Sequence, residues 1–146
     1  MNPVHLIVCE RTGRWAVALK RALGDELKLT ETRSLPACTA ELSHDPSGVV
    51  AVEVTSLNLE AVLASLAAWQ RRFPDARVIA LGDESLAAAD HLLREAGAAL
   101  VLHSTRESPR AAKLVQRHAA RVPAPDLPLE QAIHNRLPWA GREAAG

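Results

Sequence analysis

Five short apolar segments alternate with five helix-like segments along residues 1–121, and this order restricts the fold more than any other feature. The apolar segments predict strands over residues 5–9, 27–32, 49–54, 77–81 and 99–102. Helical spacing and capping residues predict helices over residues 14–23, 35–42, 58–73, 85–95 and 108–121. Repeated strand–helix units are typical of a parallel sheet with helices on both faces. We therefore predict an α/β fold of three layers, an αβα sandwich, with the strand order 2-1-3-4-5.

Composition divides the 146 residues into two parts. Residues 1–121 are predicted as one α/β domain, and residues 122–146 as a Pro-rich C-terminal tail with a short helix over residues 129–137. The tail then presents the apolar group Leu137-Pro138-Trp139. Two interpretations remain open for it: a tail that folds back or is partly disordered, or a peptide that docks on a partner. We predict that Trp139 is at least partly buried, in its own domain or in a homodimer.

The charge balance excludes several classes of protein. Seventeen basic residues match seventeen acidic ones, and aromatic residues make up only 3% of the chain, so neither nucleic acid nor a membrane surface is an expected partner. No apolar run is long enough to span a membrane, and a cytoplasmic location is expected. Cys9 and Cys38 lie in different predicted elements without metal-site spacing, which predicts two buried, reduced thiols.

Charged and small residues stand at the carboxyl ends of the predicted strands, where open parallel sheets bind ligands. Glu53 ends an otherwise apolar strand, and burying an unpaired carboxylate is costly. Glu10 follows the first strand, which neighbours the third in the predicted order. Both carboxylates are therefore expected to face one crevice, with His103, after the fifth strand, as their natural partner.

This arrangement resembles the receiver domain of bacterial two-component response regulators, the fold represented by CheY. The resemblance covers about residues 4–121 and lies in the order and length of the elements and the positions of the strand ends. In receivers, two acids after the first strand bind magnesium, and an aspartate at the end of the third accepts a phosphoryl group. A Thr or Ser ends the fourth strand, and a lysine before proline ends the fifth. These positions hold here, in order, Cys9 and Glu10, Glu53, Gly82, and His103 followed by Ser104.

Only two of these five positions keep an acid, so we predict that the phosphorelay chemistry is lost. A thiol in place of a carboxylate weakens a magnesium site, and the missing lysine removes a cation that supports phosphoryl transfer. With these departures from the receiver pattern, the chain is expected to have no catalytic residue, no metal and no cofactor. Glu53 has two interpretations: a permanent anionic mimic of the phosphorylated state, or a strand-end residue in contact with solvent.

The function predicted from this resemblance is a pseudo-receiver, a non-enzymatic module that regulates signal transduction through protein–protein contacts. Receivers present the surface of helix four, strand five and helix five to partners, which here includes Arg94, Ser104 and Arg106. Trp139 is a further candidate contact. The partner is an unidentified protein or a second copy of the chain.

The alternative is a flavodoxin-like small-molecule-binding protein or enzyme that uses the same crevice. A deep apolar pocket with converging polar groups would favour it. The single glycine of Arg11-Thr12-Gly13-Arg14 is far short of a dinucleotide-binding loop. A zinc site formed by Cys9, His103 and a carboxylate has no support from ligand spacing.

Overall fold

The computed structural model describes residues 4–121 of the chain. It contains five strands, β1 (Val4–Cys9), β2 (Leu27–Thr32), β3 (Val49–Glu53), β4 (Arg77–Leu81) and β5 (Ala98–Leu102). Five α-helices alternate with them, α1 (Arg14–Leu23), α2 (Leu35–His44), α3 (Leu59–Arg72), α4 (Asp90–Ala96) and α5 (Ser108–Arg121). The predicted tail helix and Trp139 lie outside the described residues, so both remain predictions, as does the domain boundary after residue 121.

The five strands form one parallel sheet in the order β2-β1-β3-β4-β5, which confirms the predicted fold class and strand order. β3 is central, and its first four residues are fully buried. β2, at one edge, has half-buried and exposed residues. Because every strand runs in the same direction, all carboxyl ends meet at one edge of the molecule.

Alternation along β1 distributes its side chains between two cores. Leu6 and Val8 pack on one face with α1 and α5, in a cluster that includes Trp15, Leu19 and Val115. Ile7 and Cys9 pack on the other face with α2, α3 and α4, in a cluster that includes Leu42, Trp69 and Leu93. We call the second group the α2–α4 core. The sheet is therefore covered on both faces, as the sequence pattern predicted.

The residues before α2 and α3 use their side chains in different ways. Ser34 caps α2, since its Oγ accepts a hydrogen bond of 3.2 Å from the Ala37 amide. Asn58 occupies the corresponding position before α3, but its side chain does not cap that helix. Instead its Oδ1 accepts from the Thr55 amide at 2.7 Å and its Nδ2 donates to the Glu53 carbonyl at 2.9 Å. Asn58 thus fixes the loop that follows β3.

The predicted helix over residues 85–95 is divided in the structure. Glu84–Ala89 is a 3-10 helix, and only Asp90–Ala96 is α-helical. Asp83 caps the 3-10 segment by accepting a hydrogen bond of 2.9 Å from the Ser85 amide. The tighter winding places buried Leu86 directly against Gly82.

None of the helices within residues 4–121 combines the length and apolar character that crossing a membrane requires.

Candidate functional site

A cleft of about 260 Å³ lies at the carboxyl ends of β1 and β3. Cys9, Glu10 and Glu53 line it together with Arg33 and Leu57. The structure therefore places the carboxylates of Glu10 and Glu53 in one cleft. Gly82 and His103, the other two strand-end positions, are not among the residues that line this cleft.

Glu10 is engaged in holding helix α1. Its side chain is 2% exposed, and its two carboxylate oxygens accept hydrogen bonds from the amides of Trp15 at 2.9 Å and Ala16 at 2.7 Å. Gly13, the residue before the helix, has no side chain to cap these amides and adopts a left-handed conformation with φ of +86°. A carboxylate at this position also interacts favourably with the positive end of the helix dipole. Glu10 is therefore a capping residue whose oxygens point at backbone amides.

Glu53 occupies a different environment in the same cleft. It is half-buried at the end of β3, and its Oε1 accepts a hydrogen bond of 3.3 Å from the Arg11 amide. In the described part of the chain, no Lys, Arg or His side chain forms an ion pair with it. An otherwise buried strand ends on a carboxylate because this side chain reaches a solvated cleft.

His103 turns away from the two carboxylates, and the prediction that it is their partner is wrong. Its Nδ1 lies 3.1 Å from the Asp83 carbonyl oxygen, and its Nε2 lies 3.2 Å from Oδ2 of Asp90. Partial burial lowers the pKa of His103, but the hydrogen bonds to Asp83 and Asp90 oppose this effect, and the net result is a pKa above the ordinary value. These contacts favour a positive charge on His103, and its partner is Asp90 on α4.

Leu86 occupies the space that a hydroxyl side chain, which receivers have at this position, would need at Gly82. A Cβ atom built on Gly82 would lie 2.3 Å from Cδ1 of Leu86, far inside van der Waals contact. The absence of the hydroxyl is therefore coupled to the packing of the 3-10 segment after β4. A simple replacement of Gly82 by threonine would displace Leu86.

Cys9 and Cys38 are both buried, as predicted, and neither is in a disulfide. Their place together in the α2–α4 core was not predicted. A hydrogen bond from Cys38, helped by one from Thr32 and opposed by burial, lowers the pKa of Cys9 to about 7. The same contact with Cys9, together with burial, raises the pKa of Cys38. The sequence indicated only that Cys9 ends a strand and that Cys38 lies in a helix. The structure packs that helix on the face of the sheet to which Cys9 points.

The described residues include three members of the predicted partner surface, Arg94, Ser104 and Arg106, but not Trp139. The Nε atom of Arg94 donates a hydrogen bond of 2.6 Å to Asp90. The Ser104 hydroxyl accepts a hydrogen bond of 3.2 Å from the backbone amide of the exposed Arg106. Leu92, on the same helix as Arg94, is 49% exposed. These contacts are local, and the role of this surface in binding remains a prediction.

Comparison with solved structures supports the topology with independent examples. A CheY-like protein, TadZ, from Pseudomonas aeruginosa superposes with a TM-score of 0.67 at 18% identity, over 78% of this chain and 98% of that one. A response regulator from Thermotoga maritima gives 0.63 at 20% identity, over 82% and 99%. The chain has the receiver fold. This confirms the resemblance at the level of the fold.

A third structure with the receiver fold is a putative pilus assembly-related protein from Burkholderia pseudomallei, with a TM-score of 0.66 at 19% identity, over 86% of this chain and 97% of that one. No protein-family model and no curated protein matches the chain. At these identities the likeness establishes the fold alone, so the chemistry of the cleft has to be argued from its own residues.

The receiver positions of this cleft offer little to a metal ion. Magnesium is held by several oxygen ligands at nearly octahedral positions. Both oxygens of Glu10 are bonded to amides, and Cys9 offers sulfur. Within residues 4–121, no group of three or more His, Cys, Asp and Glu side chains is close enough to hold a metal ion.

Proposed function

We propose that this chain is a pseudo-receiver, a non-catalytic regulatory module that acts through protein contacts and has lost phosphoryl transfer. The observation that carries the proposal is the position of Glu10, whose two oxygens cap α1. The acid that would hold magnesium in a receiver is here part of the framework of the fold. The site residues are thus degenerate in geometry as well as in identity.

The charge around Glu53 supports the same proposal. Phosphoryl transfer depends on cations that stabilise the charge developing on the transferred group. The Arg11 amide is the hydrogen-bond donor to Glu53 in the described residues, and His103 bonds to Asp83 and Asp90. The Arg33 guanidinium also lines the cleft, but it donates to the Glu10 carbonyl at 2.9 Å and lies 3.7 Å from the Glu31 carboxylate. A phosphoryl group on Glu53 would lack both the metal and the lysine that receivers supply.

The volume of the cleft favours the pseudo-receiver over the flavodoxin-like alternative. Pockets for small molecules and cofactors typically enclose about 300–1,000 Å³ and bury most of the ligand. The cleft, at about 260 Å³, falls below that range. Leu57 at its rim is 90% exposed, so the rim offers an apolar contact to a partner.

A magnesium titration followed by NMR tests the loss of the metal site. We expect backbone amide shifts around Glu10, Arg11 and Glu53 to remain unchanged at millimolar magnesium, and no stable complex with beryllofluoride. The Glu53→Gln variant is the control. A saturable shift in the wild-type protein that this variant abolishes would contradict the proposal.

We further propose that the partner presents an acidic protein surface. A groove of about 680 Å³ runs between α5 and the outer strands β4 and β5, near the opposite end of the sheet from the cleft. Its lining contains one carboxylate, Asp75, and the following cationic side chains besides His118: Arg77, Arg110, Lys113, Arg117 and Arg121. The excess of positive charge favours an anionic occupant.

Three of these cations are spaced four residues apart on one face of α5, namely Lys113, Arg117 and Arg121. Like charges at this spacing destabilise a helix by about 0.2–0.5 kcal/mol for each pair. Arg110 is paired with Glu107 at 2.6 Å, but no carboxylate of residues 4–121 forms an ion pair with the other three. An acidic partner would relieve this repulsion. With no net charge on the whole chain, a protein surface is favoured over nucleic acid.

The names of the similar structures support a role in a protein assembly. Two of them are named as putative pilus assembly proteins, one from Burkholderia pseudomallei and one from Burkholderia thailandensis. A receiver fold in a protein of an assembly system is consistent with a module that binds other proteins. On this basis the partner proposed here is a component of a multi-protein complex.

Binding of a fluorescent glutamate-rich peptide to the full chain tests the charge of the groove. We expect binding that weakens as salt increases and is lost in the Lys113→Glu/Arg117→Glu variant, because the groove then carries carboxylates in place of cations. The control is Lys20→Glu/Arg71→Glu, which reverses two exposed cations outside the groove. Equal loss in both variants, or a preference for a DNA duplex of the same charge, would contradict the proposal.

A further inference from the structure

A further cavity, of about 250 Å³, lies at the amino ends of β4 and β5. Its wall contains four buried apolar side chains, those of Leu66, Trp69, Phe73 and Val78. Trp69 is fixed in this wall because its Nε1 donates a hydrogen bond of 2.9 Å to the Thr39 hydroxyl. We call this cavity the apolar pocket.

The apolar pocket adjoins the groove along α5. Two exposed residues line both cavities: Arg77, at the start of β4, and Ala99, in β5. The Arg77 guanidinium donates hydrogen bonds to the carbonyl oxygens of Ala76 at 3.1 Å and Pro74 at 3.4 Å. No carboxylate in the described part of the chain forms an ion pair with it, Asp75 of the groove included. Arg77 therefore places a positive charge between the apolar pocket and the cations of α5.

The size of the apolar pocket fits a single side chain. Pockets for small molecules and cofactors typically enclose about 300–1,000 Å³. The apolar pocket, at about 250 Å³, is smaller, and Gln70, Pro74 and Arg77 at its rim are exposed. In protein interfaces, a few large side chains that fill such pockets contribute most of the binding energy. The occupant is thus one residue of a protein partner.

We propose that the partner inserts one large apolar side chain into the apolar pocket, while acidic residues next to it in the partner's chain pair with Arg77 and the cations of α5. Such a partner carries the acidic surface proposed above, on which this assignment rests. Neighbouring residues of an extended segment are about 3.3 Å apart along the chain. Because Arg77 borders both cavities, the recognised pattern is a large apolar residue within a few positions of glutamates or aspartates.

The two cavities contribute differently to binding. Attraction between the groove and acidic side chains speeds association and weakens as salt increases. Burial of a large apolar side chain increases affinity by about ten- to a hundredfold, and salt screening does not reduce this contribution. The charges thus guide the partner to the surface, and the apolar side chain holds it there.

Two fluorescent peptides separate these contributions: a glutamate-rich peptide with a central phenylalanine, and the same peptide with serine in its place. With the full chain, we expect fluorescence anisotropy to show that the phenylalanine peptide binds at least about tenfold more tightly. Added salt should weaken both and leave their ratio nearly unchanged. Equal affinities would overturn this proposal and leave the acidic partner in place, whereas binding of neither peptide would contradict both.

The Gln70→Phe variant obstructs the apolar pocket, because Gln70 is exposed and lines this pocket but not the groove along α5. We expect the affinity for the phenylalanine peptide to fall to that for the serine peptide, which should not change. Gln116→Phe is the matched control, the same substitution at an exposed glutamine of α5 that lines neither cavity. An equal effect of the two variants would contradict the proposal.

The indole N–H signals in the NMR spectrum of the wild-type chain locate the bound side chain. Trp69 lies in the wall of the apolar pocket, whereas Trp15 lies in the core on the other face of the sheet. The phenylalanine peptide should shift the Trp69 signal and leave the Trp15 signal unchanged. An unchanged Trp69 signal at saturation would overturn the proposal. So would self-association of the chain that Gln70→Phe abolishes, because the pocket would then hold a second copy.

Discussion

Replacing Trp69 by alanine is expected to lower the free energy of unfolding by about 3–5 kcal/mol, the range measured for large buried aromatic residues. Trp69, on helix α3, is 2% exposed and lies in the α2–α4 core. Its Nε1 donates a hydrogen bond of 2.9 Å to the Thr39 hydroxyl, which joins α3 to α2. The truncation therefore leaves a cavity and removes a contact between two helices.

Denaturant unfolding followed by circular dichroism measures this change. Leu57→Ala is the control, because Leu57 is 90% exposed and its replacement should alter the unfolding free energy by less than about 0.5 kcal/mol. Unfolding of Trp69→Ala at nearly the wild-type denaturant concentration would mean that α3 does not anchor the core.

Replacing Glu10 by alanine is expected to destabilise the protein by about 3 kcal/mol, because hydrogen bonds to charged groups contribute about 1.5–3 kcal/mol each and buried unpaired donors are costly. The substitution leaves the amides of Trp15 and Ala16 without their acceptors at the start of α1. Glu10→Gln should have an intermediate effect, since an amide side chain provides one acceptor oxygen where the carboxylate provides two.

Glu53→Ala provides a matched control for Glu10→Ala: the same chemical change in the same cleft. Glu53 is half-buried and accepts a single hydrogen bond of 3.3 Å, so we expect a change of less than about 1 kcal/mol. The comparison is made by urea unfolding at neutral pH. Equal losses in the two variants would show that Glu10 does not have the structural role assigned to it.

The fold could be predicted from the sequence because its signal is local and repeated. Each strand is a short apolar run, each helix has its own apolar stripe or capping residue, and the order of elements restricts the topology. The main error, the helix after β4, arose from tertiary packing. Leu86, in the 3-10 segment Glu84–Ala89, packs directly against Gly82, and the apolar pattern of the segment does not reveal this contact.

The candidate site was less predictable because its contacts join distant residues. The position of Glu10 beside Glu53 in one cleft followed from strand order, but its capping role did not. The amides it binds lie five and six residues ahead, outside the spacing of known capping motifs. His103 bonds to Asp90 on α4 and to Asp83 in the preceding loop, and Cys9 shares the α2–α4 core with Cys38 of α2. Neither spacing corresponds to a sequence motif.

Incubation of the full chain with a small phosphodonor and magnesium, followed by intact mass spectrometry at neutral pH, tests the loss of phosphoryl transfer most directly. We expect the mass to remain unchanged, because Glu10 is held by the α1 amides and Glu53 forms no ion pair with a Lys, Arg or His side chain of residues 4–121. A gain of one phosphoryl group would contradict the pseudo-receiver account, and its absence in Glu53→Gln would locate the phosphoryl group at the end of β3.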